Sequence, residues 1–174
     1  LSQAEHDVLA QVVCVCTDND MADKVEAAIA NQMESLSRKD VAQVSLKSGR
    51  LIIADRADMS EIINNYAPEH LIVQVDNPEE LVPSISNAGS VFLGPWTPES
   101  IGDYASGTNH TLPTSGAARA YSGVNVESFM TQMTVQRLTE TGMRALGPAV
   151  EILADMEGLD AHKTAVSLRL EALS

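Results

Sequence analysis

The chain reads as an α/β protein: a partial Rossmann-like, mostly parallel sheet flanked by helices, followed by a small helical C-terminal unit. Three observations lead there. Short β-branched runs alternate with amphipathic helical stretches through the first two-thirds of the 174 residues. The connections between them are short and polar. After residue 114 the strand signals thin out and helical periodicity takes over. Strand–helix alternation of this kind favours parallel strands joined by right-handed crossovers.

The elements follow in order. Leu1-Ser2-Gln3-Ala4-Glu5-His6 reads as part of a helix already under way, and the start at Leu1 without a methionine suggests a fragment or a processed product. Val12-Val13-Cys14-Val15-Cys16 predicts a strand over 12–17. A helix over 20–36 places Met21, Val25, Ala28, Ile29 and Met33 on one stripe. A weaker helix follows over 39–47, then a strand over 51–54, a helix over 59–66 and a strand over 71–75. Residues 78–85 predict a further helix, and Ser90-Val91-Phe92-Leu93 a strand. Beyond the polar loop, 133–136 predicts a short strand, and 140–156 and 161–173 predict helices broken at Gly158. The character changes between Ser115 and Ser122. That divides the chain into an incomplete Rossmann-like domain over 1–120 and a mainly helical unit over 121–174.

Composition narrows the class. Apolar residues make up 44% of the chain, enough for a packed core, while aromatics at 3% leave that core to Val, Ile, Leu, Ala and Met. A formal charge of −13 argues against nucleic acid or an anionic membrane surface as partner. No apolar run reaches the roughly 20 residues of a membrane span, and the expected compartment is the cytoplasm. Cys14 and Cys16, the only cysteines, share one face of their strand. Two buried thiols in a reducing compartment is the reading, with a Cys-x-Cys metal site as the alternative.

Chemistry concentrates in Gly102-Asp103-Tyr104-Ala105-Ser106-Gly107-Thr108-Asn109-His110-Thr111-Leu112-Pro113-Thr114, a polar, glycine-punctuated loop between stretches of scaffold. In parallel sheets ligands collect beyond the carboxyl ends of strands, and this loop follows such an exit within ten residues. Asp103 and His110 flank its turn, either as ligand and base or as parts of a capped loop. Gln3 and His6 share a helix face, as ligands or as a solvated surface. Glu69-His70 follows Pro68 into a strand. Adjacent strand residues point to opposite faces, so both serve one site only if the strand starts irregularly. Glu157 and His162 would lie about 140° apart on one helix, and the break at Gly158 lets both face one pocket. All four histidines of the chain fall in this set.

Together these segments resemble histidinol dehydrogenase. The resemblance rests on the 1–6 segment, Pro68-Glu69-His70-Leu71-Ile72, Phe92-Leu93-Gly94 leading into the 102–114 loop, and Glu157-Gly158-Leu159-Asp160-Ala161-His162-Lys163. It runs nearly end to end and corresponds to the C-terminal two-fifths or so of that enzyme. It implies oxidation of L-histidinol to L-histidine through the aldehyde, the closing chemistry of histidine biosynthesis, by two hydride transfers to NAD. Gln3, His6, Asp103 and His162 would be the zinc ligands, a borderline N/O set. The metal would template the substrate rather than drive the chemistry.

The resemblance further makes His70 the acid–base residue and a substrate contact, and Glu69 the base that activates water. Gln3, His6, Asp103, His162 and Glu157 would contact substrate, and His110 would reach the neighbouring site of an intertwined homodimer. No Gly-x-Gly-x-x-Gly is present, so the NAD platform is expected mostly outside this chain, which alone is expected to be inactive. Two other readings stand beside it: a metal-binding or dimerisation module without turnover, and a zinc hydrolase.

Overall fold

A computed structural model describes residues 1–173 as an α/β assembly of short parallel strands flanked by helices. It divides into two compact units, Leu1–Met130 and a second from Thr131 onward.

In the first unit a short helix, α1 (Ser2–His6), packs against α3 (Lys39–Leu46). Ala4 on α1 and Ala42 on α3 are both fully buried. Ser45, also fully buried, is satisfied by donating its hydroxyl to the Ala10 carbonyl at 2.7 Å. Between these helices lie strand β1 (Val13–Cys16) and helix α2 (Asn19–Ser35). The Asp18 carboxylate caps α2 by accepting the Met21 amide at 2.8 Å. That amide holds the carboxyl below its usual range.

Strand β2 (Arg50–Ile53) pairs with β1 in parallel, Val13 opposite Arg50 and Cys16 opposite Ile53. The expected strands therefore form, each shifted by about a residue at its ends. Cys14 and Cys16 project on one face with their sulfurs 3.8 Å apart and unbridged. Cys16 is buried and Cys14 half-buried.

Helix α4 (Met59–Tyr66) ends at Ala67, a buried residue in the left-handed region at φ 54°. A residue before proline is ordinarily driven to extended backbone. Here the positive φ turns the chain sharply into Pro68 and the next strand. Strands β3 (His70–Val73) and β4 (Ser90–Leu93) pair in parallel, with His70 opposite Ser90 and Ile72 opposite Phe92. The mostly parallel sheet is thus two separate two-stranded ladders.

Two expectations need correction. Residues 78–85 form two 3₁₀ turns, Pro78–Glu80 and Val82–Ser84, rather than a helix. Pro83 lacks the amide an α-helix needs there, and its ring would meet the carbonyl four residues back. The turns are held by Asn64, which donates to the Ser84 carbonyl at 2.8 Å and accepts the Ser86 amide at 2.8 Å. Residues 133–136 form no strand: no ladder partner is offered, and Met133 and Val135 are 85% and 84% exposed.

The first unit also holds α5 (Ser100–Tyr104), described with the site below. The second unit is a hairpin of α6 (Glu140–Met156) and α7 (Asp160–Ala172). Thr139 caps α6 by accepting the Gly142 amide at 3.1 Å. Gly158, at φ 70°, makes the left-handed turn that separates the helices, as expected of the break there. Among the described residues no helix is long and apolar enough to cross a membrane.

Candidate active site

The site is assembled on the β3–β4 ladder. Backbone bonds run past the strand ends: the Gly89 amide donates to Pro68 and the Ser90 amide to Glu69, both at 2.9 Å. Gly89 is required by this pairing, since a Cβ there would lie 2.5 Å from the Glu69 carbonyl oxygen. Two successive carbonyls, Pro68 and Glu69, thus both face β4, which regular strand geometry does not allow, so the chain enters β3 irregularly at Glu69. His70 joins the cluster described next; Glu69, half-buried, does not.

The His70 ring lies against Phe92, two residues along the neighbouring strand, with ring centroids 6.0 Å apart and planes inclined by 23°. Phe92 is in turn pressed by α5, because a Cβ on Gly102 would come within 2.8 Å of its ring. After β4 the chain leaves through Gly94 and Pro95, then runs back so that α5 lies over His70 and Phe92. The polar loop consequently serves the amino end of β3 and not the space beyond the carboxyl end of β4.

This return brings three groups together. His70, Glu99 and Asp103 each offer a ligand atom, and those atoms all lie within 4.8 Å of one another. His70 Nε2 and Glu99 Oε1 are 4.0 Å apart, with side chains only 11% and 5% exposed. Nε2 is buried and has no hydrogen-bond partner. A buried unsatisfied nitrogen costs about 1–3 kcal/mol, so the arrangement is poised for a partner. Asp103 is half-buried one helical turn beyond Glu99.

Glu99 escaped the sequence reading. The signal was its spacing: Glu99 and Asp103 are four apart, which puts both carboxylates on one face of a helix. A short helix starting inside a proline-rich exit was not anticipated.

The loop beyond α5 is held by its own side chains. Thr108 donates its hydroxyl to the Gly102 carbonyl at 3.2 Å, and Asn109 accepts the Thr111 amide at 2.7 Å. His110 is exposed at its end. An open cleft of about 730 Å³ runs alongside, lined by Ser90, Thr108, Asn109 and Gly123 among others.

The remaining candidates lie elsewhere. Gln3 is half-buried and His6 exposed on α1, where the His6 carbonyl accepts from Arg38 at 3.3 Å. Neither α1 side chain is part of the three-residue cluster. Glu157 caps the end of α6 and His162 lies in the first turn of α7; both are exposed and belong to the second unit.

The donors at the cluster, one imidazole and two carboxylates, suit a borderline divalent cation such as zinc, and the unpartnered Nε2 is the kind of atom a ligand would satisfy. A dinucleotide fits less well. The turn from β1 into α2, where a pyrophosphate would sit on helix amides, is occupied by the Asp18 carboxylate on the Met21 amide.

Comparison with known proteins gives a consistent picture. A family model described as histidinol dehydrogenase matches residues 1–170. The histidinol dehydrogenase of Vibrio cholerae serotype O1 is 52% identical over 174 residues, 99% of this chain and 40% of the relative. That of Campylobacter jejuni strain RM1221 is also 52% identical, covering 99% and 41%. A crystal structure of histidinol dehydrogenase from Elizabethkingia anophelis superposes with a TM-score of 0.87 at 46% identity, over 99% of this chain and 40% of that one. The chain thus spans about 40% of the length of the curated relatives it matches.

Proposed function

The chain belongs to the histidinol dehydrogenase family, and on that footing we propose that it carries the substrate and acid–base half of an enzyme oxidising L-histidinol to L-histidine. The observation that carries the proposal is the meeting of His70, Glu99 and Asp103 over Phe92, in a chain whose relatives carry that enzyme's name.

In this reading Asp103, with Gln3, His6 and His162, holds zinc, and NAD binds through residues outside this chain. When bound, zinc supplies a fixed template for an imidazole and an amine, and NAD supplies the oxidant. His70 takes the hydroxyl proton as the alcohol carbon is oxidised, proton transfer being work to which an imidazole is suited. Glu69 takes a proton from the water that adds to the aldehyde. Glu157 steadies the substrate. His110, exposed at the loop end, reaches a second copy in a homodimer with shared sites. The many exposed apolar side chains, among them Tyr121, Phe129, Met133 and Val135 at 73–85%, support association with more protein. A cytoplasmic location follows from the biosynthetic role.

The test separates the two oxidations. This chain is joined behind the preceding portion of the Vibrio cholerae relative and supplied with histidinol and NAD. Glu69→Gln is expected to release aldehyde and to slow acid formation by about 100-fold. Equal loss of both steps would contradict the assignment of Glu69 to the water.

A further inference from the structure

Glu99 is placed where a helix cap would sit, yet it does not cap. It immediately precedes α5, and its side chain accepts no hydrogen bond from the helix amides. A carboxylate near a helix N-terminus is favoured by the exposed amides there. This one is instead 95% buried and directed at His70, whose Nε2 is the one buried side-chain nitrogen without a hydrogen-bond partner among the described residues. Two buried polar groups that each forgo other partners and face one another are a pair waiting to form.

Resting on the dehydrogenase reading above, we propose that Glu99 is the positioning residue for His70: its carboxylate accepts the Nε2–H, which fixes the tautomer and leaves the Nδ1 lone pair to receive the substrate's hydroxyl proton. The partner of one imidazole nitrogen decides which form the other takes. The step balances simply: the substrate O–H bond breaks, an Nδ1–H bond forms, and the resulting imidazolium is held against the Glu99 carboxylate. Phe92 lies beside the ring, with centroids 6.0 Å apart and planes inclined by 23°. The pair, 4.0 Å apart, closes by about 1 Å to reach hydrogen-bond length. Asp103, less buried and one turn further along α5, stays free for the metal.

The experiment reads the tautomer directly. Long-range proton–nitrogen correlation spectra of the chain labelled with ¹⁵N-histidine give one pattern for each of four histidines, and His70→Asn identifies the signal of interest. The expected result is a proton fixed on Nε2 in the parent chain and retained in Glu99→Gln, whose amide oxygen still accepts. In Glu99→Ala the signal is expected to become a mixture of both tautomers. A proton on Nδ1 in the parent, or an unchanged pattern in Glu99→Ala, would overturn the proposal.

Two further readouts separate positioning from other roles. In the joined protein assayed with histidinol and NAD, Glu99→Ala is expected to lower kcat about 100-fold with KM little changed. A tautomer that moves while kcat does not would overturn it. Zinc titrated into Glu99→Gln is expected to bind as in the parent, and loss of binding would make Glu99 a ligand and overturn it. If the joined parent protein is itself inactive, the dehydrogenase reading fails, while the spectra still decide what Glu99 does to His70.

Discussion

A buried imidazole nitrogen without a partner is a standing cost of about 1–3 kcal/mol, and the chain keeps one at His70 between two carboxylates. Strain of this sort concentrates where a protein binds or reacts. The cysteine pair shows the opposite case. Burial, and after it the neighbouring Cys16 thiol, push the Cys14 thiol from 9.0 up to about 11. Because the shift is upward, folding favours the protonated form. Its contribution to stability is whole below pH 9 and is lost as pH rises toward 11. Cys14 is therefore a poor nucleophile. Iodoacetamide labelling of folded protein at pH 8 should leave it largely unmodified, with the rate climbing only toward pH 11. Rapid labelling at pH 8 would contradict this burial. At this scale the sequence showed His70 and Asp103 as candidates but not Glu99, because an isolated glutamate in a proline-rich exit gives no sign that it will be buried.

Elements were legible where side-chain pattern and backbone requirement agree. The runs Val13-Cys14-Val15-Cys16 and Ser90-Val91-Phe92-Leu93 are strands, and the apolar stripes of α2 and α6 mark their helices. Legibility failed where one residue overrides the pattern, as Pro83 does in the 3₁₀ turns. It failed again at 133–136, where a strand needs a partner that the local sequence cannot supply. The pairing of β3 with β4 depends on a single close approach at Gly89, where a side chain would run into the Glu69 backbone rather than a flexible group. Gly89→Ala is accordingly expected to destabilise the first unit by about 1–3 kcal/mol and to shift Glu69 and His70. Urea unfolding followed by circular dichroism measures the first effect. An unchanged midpoint would mean that the ladder tolerates opening at its start.

At the scale of the molecule, the chain presents a site and leaves much apolar surface bare. Its core is built mostly of small side chains such as Ala4, Ala22, Ala42 and Ala154, while Leu9 and Trp96 are 86% and 93% exposed. Such surface is what an interface covers. This is in keeping with the proposal that the chain works in association with more protein. The fold class was visible from strand–helix alternation alone. The place of Glu99 beside His70 was not, because it depends on the chain doubling back after β4, and no local pattern encodes that return. The most direct test is turnover of histidinol with NAD by this chain joined behind the preceding portion of the Vibrio cholerae relative, with and without His70→Asn. The account predicts histidine as product and a kcat lowered about 100-fold or more by the substitution. Undiminished turnover in His70→Asn, or no turnover in the well-folded parent, would contradict it.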